Sequence, residues 1–73
     1  MQRLERLPTP KIGREEAMKL AEEKVGGTAT NALLAVVEKT PAWMVTVTMK
    51  EGIYAYVYVD PENGEILKIE VLP

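Results

Sequence analysis

The sequence contains no cysteine and no histidine. Without cysteine no disulfide can staple the fold, and nothing in the composition reports the redox compartment. With both residues missing, the ligands of structural zinc are gone, and only carboxylates and carbonyls remain for harder cations. The same absences remove the commonest nucleophile and general base, and there is no glycine-rich phosphate loop. The expectation is a chain that is not an enzyme and uses no metal or cofactor. An excess of positive charge is lacking too. Nine Lys and Arg against eleven Asp and Glu leave a net charge of −2 with the signs interspersed, which argues against the one-sided basic footprint of a nucleic-acid binder. No apolar run approaches the roughly 18–20 residues of a membrane span. The start, Met1 to Pro10, also lacks the apolar centre of a signal peptide.

What is present fits one domain. At 73 residues a chain buries only about 60% of the surface its unfolded form exposes. A single core of this size supplies about 3–5 kcal/mol when nothing staples it, so association is the remaining source of extra stability.

The first eleven residues carry Pro8 and Pro10 around Thr9, and proline pushes its predecessor toward extended backbone. Residues 1–11 are therefore expected as an extended arm and 12–73 as the domain. From Arg14 to Val25 the apolar residues Ala17, Leu20, Ala21 and Val25 recur at helical spacing, while Glu15, Glu16, Lys19, Glu22 and Glu23 lie mostly off that stripe. Acids at Glu15 and Glu16 suit the positive end of the helix dipole, and Gly26-Gly27 suits its C-terminal cap. Gly13 is a second-rank N-cap. Strands are expected over Leu33–Val37, Trp43–Met49, Ile53–Val59 and Ile66–Val71, separated by Thr40-Pro41, Glu51-Gly52 and Pro61-Glu62-Asn63-Gly64. Asn63-Gly64 is the sharpest of these turn signals, because the pair accepts the positive φ of a tight hairpin. The fold class is α+β, one amphipathic helix packed on an antiparallel meander sheet of three to four strands.

Strand faces follow from the turns. A two-residue turn at Glu51-Gly52 sets Met49, Val47 and Val45 opposite Tyr54, Tyr56 and Tyr58. If Asp60 pairs with Glu65, those tyrosines lie opposite Val71, Ile69 and Leu67. This predicts a tyrosine-lined core under the helix, with Trp43 near its end. Met44, Thr46, Thr48, Ala55, Val57 and Val59 would then fall on the wetted reverse. The competing reading makes the same aromatics an exposed recognition surface.

Glu15-Glu16-Ala17 opening a helix, the strand pair, and the string Tyr56-Val57-Tyr58-Val59-Asp60-Pro61-Glu62-Asn63-Gly64-Glu65-Ile66-Leu67 together resemble the PepSY domain family. In that family the last two strands flank a turn of valine, aspartate, two variable residues, threonine or asparagine, glycine, and glutamate or lysine. The resemblance spans roughly Ile12 to Glu70. Gly13 stands where the family usually has serine or threonine. It implies a non-enzymatic module of the kind found in propeptides of secreted thermolysin-type metallopeptidases and in cell-envelope proteins, where it inhibits peptidases or binds proteins.

Asp60, Glu62, Asn63 and Glu65 could form an oxygen cage for calcium, but a β-turn demands the same residue types for backbone reasons, and the rest of a calcium loop is missing. Asp60 with Glu65 as an acid and base pair has no supporting residue around it. The segment Leu33–Val37 is apolar on both sides, more than one helix can cover, so a partner chain or the arm is expected on its second side. The binding residues expected on these grounds are Leu34, Val36, Trp43 and Tyr54. The expected partner is a protein, of the thermolysin-type peptidase class or a second copy of the chain.

Overall fold

Residues 11–72 are described by a computed structural model; the expected arm, Lys11 apart, lies outside them. The order is helix α1 (Arg14–Val25), then strands β1 (Thr28–Val37), β2 (Thr40–Thr48), β3 (Tyr54–Val59) and β4 (Ile66–Leu72). The four strands form one antiparallel meander in the order β1-β2-β3-β4. The α+β class and the helix limits are those expected from the apolar spacing.

α1 buries Ala17 and Ala21 completely. Being four apart, they lie one above the other on the same helix face. Side chains this small let the helix axis come close to the sheet. Gly26, at φ 77°, ends the helix in the left-handed region, and its N–H donates to the Glu22 carbonyl at 2.7 Å. Gly27 has a different role. A Cβ there would lie 2.6 Å from the Thr48 carbonyl oxygen and 2.7 Å from Val47 Cγ1, so the chain leaving the helix can lie against β2 only with no side chain.

The core under α1 is made of small and β-branched residues. Val45, Val47, Val57 and Val59 are fully buried, with Ala32 and Ala55, and Ile12, Leu20, Val25, Trp43 and Ile66 pack around them. The tyrosine-lined core expected from the sequence is corrected here. Observed partners across β2 and β3 are Thr48 with Tyr54, Val47 with Ala55, Thr46 with Tyr56, Val45 with Val57 and Met44 with Tyr58. The cause is the turn between them. It holds three residues, Lys50–Gly52, with Glu51 at φ 61° and Gly52 at φ 76°, and is closed by the Met49 N–H donating to the Ile53 carbonyl at 2.7 Å. One more residue in the turn slips the register by one and turns every β3 side chain to the other face. Tyr54, Tyr56 and Tyr58 therefore point away from the helix, while Trp43 stays with the valines beneath it.

The last hairpin adds a second slip. Asp60 does meet Glu65, its N–H donating to the Glu65 carbonyl at 2.7 Å, and Val59 pairs with Ile66. A bulge at Leu67 then intervenes, so Tyr58, Tyr56 and Tyr54 lie opposite Lys68, Glu70 and Leu72. Gly64, at φ 80°, completes the turn beneath the helix, where an added Cβ would come 3.0 Å from Leu20 Cδ1. The first hairpin also turns earlier than expected. Its two loop residues are Glu38 and Lys39, both at positive φ, and Thr40 and Pro41 open β2. Pro41 is tolerated because strand alternation points its nitrogen away from β1, toward ground that β3 does not reach, since β3 pairs with β2 only from Trp43 onward. Beyond Trp43, β1 and β2 continue as a two-stranded ribbon.

Candidate functional site

The sheet has one covered and one open face. α1 packs over β1, β2 and β3, and the opposite face has no covering element among the described residues. The open face is built in cross-strand rows. Leu33, Met44, Tyr58 and Lys68 form one; Asn31, Thr46, Tyr56 and Glu70 the next; Thr28, Thr48, Tyr54 and Leu72 the third. The three tyrosines thus make a stripe down β3, flanked by threonines and Met44 on one side and by Lys68, Glu70 and Leu72 on the other. Tyr54 is 47% exposed and Leu33 53%; Tyr56 and Tyr58 are half-buried by their neighbours. The Lys68 ammonium lies 6.0 Å from the Tyr58 ring centroid, at the outer limit of a cation–π contact. Ala42 is fully buried on this face and stands outside the core cluster.

The residues expected to bind are not brought together. Leu34 pairs with Trp43, and Val36 with Pro41, on the helix side of the ribbon, with Val36 59% exposed. Tyr54 lies on the opposite face at the far end of the sheet. Trp43 plays a structural part, since its indole N–H donates to the Ile12 carbonyl at 2.7 Å. Ile12 in turn donates its N–H to the Pro61 carbonyl at 2.8 Å. These two bonds moor the helix entry to the sheet and the last turn.

Two side chains of that turn, Asp60 and Asn63, bond its own backbone, and Glu62 lies 3.8 Å from the Lys11 ammonium. Asp60 Oδ1 accepts the Glu62 N–H at 2.8 Å, and Asn63 Oδ1 accepts the Glu65 N–H at 2.9 Å. These are Asx-type bonds that shape the turn. No group of three or more metal-ligating side chains occurs among the described residues, and no described helix is long and apolar enough to cross a membrane. A shallow surface depression runs along the outside of α1 between Glu15, Glu16, Lys19, Leu20 and Glu23, a solvated face with no nucleophile in it.

Leu33 and Met44, which share the tyrosine face, were not among the expected binding residues. The signal for them lay in the helix. With alanines at its buried positions α1 must approach the sheet closely, and the strand face that fits beneath it is Ala55-Val57-Val59, not the tyrosines.

A helix laid on a four-stranded meander, with a tight Asp-Pro-Glu-Asn-Gly-Glu turn moored to the helix start and an open aromatic face, defines a small α+β domain. Residues 11–70 match the family model PepSY, described as "Peptidase propeptide and YPEB domain". The match takes in most of the chain, and the protein belongs to the PepSY family. Comparison with curated proteins and with solved structures gives no match.

Proposed function

We propose that this PepSY domain is a non-catalytic protein-binding module whose recognition surface is the open tyrosine face, and that its partner is a peptidase of the thermolysin type, which it inhibits or regulates. The observation that carries the reading is the uncovered stripe of Tyr54, Tyr56 and Tyr58 with Leu33 and Met44 beside it. Tyrosine is enriched at protein interfaces because it offers a large apolar body, a polar tip and few rotors to freeze. A monomer gains nothing in stability by leaving such a row uncovered. Family membership supports a peptidase as the partner, since the family description names a peptidase propeptide. Leu34 and Val36 add a second contact from the other side of the ribbon, while Trp43 contributes from within by fixing the helix entry.

The test is a titration of a thermolysin-type peptidase with the domain, following cleavage of a peptide substrate. Dose-dependent loss of activity, or a stoichiometric complex, is the expected result. A Tyr54→Ser, Tyr56→Ser double variant should keep the fold and bind at least about tenfold more weakly, as truncation of interface hot spots does. Absence of any complex, or a double variant that binds like the parent, overturns the proposal.

A further inference from the structure

The sheet has two edges, and they are finished differently. Backbone directions follow from the hydrogen-bonded Met49–Ile53 pair. Alternation from it turns the amides of Val45 and Val47 toward β3 and leaves those of Ala29 and Ala32 facing out from β1. Both outward positions are used by helix side chains: Glu22 Oε2 accepts the Ala29 N–H at 2.7 Å, and Arg14 Nε donates to the Ala32 carbonyl at 3.3 Å. A register shift between Ala29 and Asn31 breaks the edge further. These are devices that stop a second strand from adding to β1 there.

β4 has one irregularity, the bulge at Leu67, but from Lys68 to Leu72 its pairing with β3 is regular, and no side chain of the described residues bonds its outward backbone groups. The same alternation directs the amides of Tyr54, Tyr56 and Tyr58 toward β4, so their partners Leu72, Glu70 and Lys68 face inward and Ile69 and Val71 face out. Three of the six exposed large apolar side chains lie on this one strand: Leu67, Ile69 and Val71, at 45%, 38% and 58% exposure.

We propose that β4 is a homodimer edge, pairing antiparallel with β4 of a second copy about a two-fold axis at Ile69. Charge selects both partner and register. Centred on Ile69, the pairing sets Lys68 opposite Glu70 of the second copy and Glu70 opposite its Lys68, two attractive cross-strand pairs. It also sets Leu67 beside Val71, and makes Ile69 a pair with itself through its outward amide and carbonyl. The neighbouring registers that keep outward amides facing each other shift by two residues, and one brings Glu70 against Glu70, the other Lys68 against Lys68. A like-charged pair directly opposite is destabilising. The two-fold axis stands perpendicular to the sheet, so both helices lie on one side. The exposed Ile69 and Val71 of the two copies then close into one apolar strip between them, and both tyrosine faces stay free for a partner. Such an isologous contact is small beside a standard interface, so the dimer is a weak, concentration-dependent one.

The experiment is sedimentation velocity on the full chain over a wide concentration range, with circular dichroism to verify folding. The parent should pass from monomer to dimer. Lys68→Glu and Glu70→Lys, each alone, turn two attractive pairs into two repulsive ones and should weaken dimerisation by roughly tenfold or more. The double exchange Lys68→Glu with Glu70→Lys should restore it. In a nitrogen–proton correlation spectrum the amides of Ile69 and Val71 should shift on dilution, with Tyr56 unmoved. A monomer at all concentrations, single variants that dimerise like the parent, or a double variant that fails to recover would overturn the proposal. So would a monomer whose Ile69 amide is already protected from exchange, since that would give the edge to another part of the same chain.

Discussion

Two adjacent glycines after the helix should respond to substitution by different rules. Gly26 sits at φ 77° with nothing within 4 Å of the place an added Cβ would take, so its constraint is conformational only. Alanine there adopts the left-handed region at about 1–2 kcal/mol, reduced by the roughly 0.4–1 kcal/mol that a less flexible unfolded chain returns. Asparagine visits that region readily and should cost less than alanine. Gly27 has no positive φ, yet its Cβ would stand 2.6 Å from a backbone oxygen, 2.7 Å from buried Val47 and 3.0 Å from Met49 Cγ. Neither the strand backbone nor a fully buried valine can yield cheaply, so Gly27→Ala should cost about 2–3 kcal/mol by overpacking. That is most of the roughly 3–5 kcal/mol available to a core of this size. Urea denaturation followed by circular dichroism measures both. The predicted order is Gly, Asn, Ala at position 26, and Gly, Ala, Asn at position 27, where side-chain size alone decides. Equal, mild effects of alanine at the two positions would refute the close approach of the helix exit to β2.

Gly64→Val combines positive φ with a Cβ placed 3.0 Å from Leu20 Cδ1, and should lower the urea midpoint by an amount equal to about 2 kcal/mol or more. Glu22 lies off the apolar stripe of α1, yet it accepts the Ala29 N–H; Glu22→Ala should cost about 1–2 kcal/mol in the same assay, whereas Glu23→Ala, on the exposed side, should be nearly silent. Glu38→Asn with Lys39→Gly supplies the residues preferred where both loop positions have positive φ, and should raise stability by about 1 kcal/mol, seen as a higher melting temperature.

The helix was legible because two independent signals agreed: apolar spacing through Ala17, Leu20, Ala21 and Val25, and punctuation by Gly26. The last turn was legible because Asn63-Gly64 has few alternative uses. Strand faces were not, and the reason is parity. Lys50-Glu51-Gly52 gives no local sign that Glu51 as well as Gly52 takes positive φ, and counting two turn residues in place of three exchanged the core and open faces of β3. The bulge at Leu67 is equally silent in sequence. At Glu38-Lys39 the turn lacks glycine and asparagine altogether, so Thr40-Pro41 looked the better break. The edge roles of Arg14 and Glu22 needed three dimensions, since their partners Ala32 and Ala29 lie 18 and 7 residues away.

The tyrosine face is where fold and proposed function meet, and covalent nitration of tyrosine, mapped by mass spectrometry on the free domain and on its mixture with a thermolysin-type peptidase, probes it directly. In the free, folded domain Tyr54 should react fastest, Tyr56 and Tyr58 more slowly but measurably, and all three should be protected when the peptidase is bound. Tyrosines that stay inert until the domain is unfolded would return them to the core, and tyrosines that react equally with and without the peptidase would take the recognition surface away from this face.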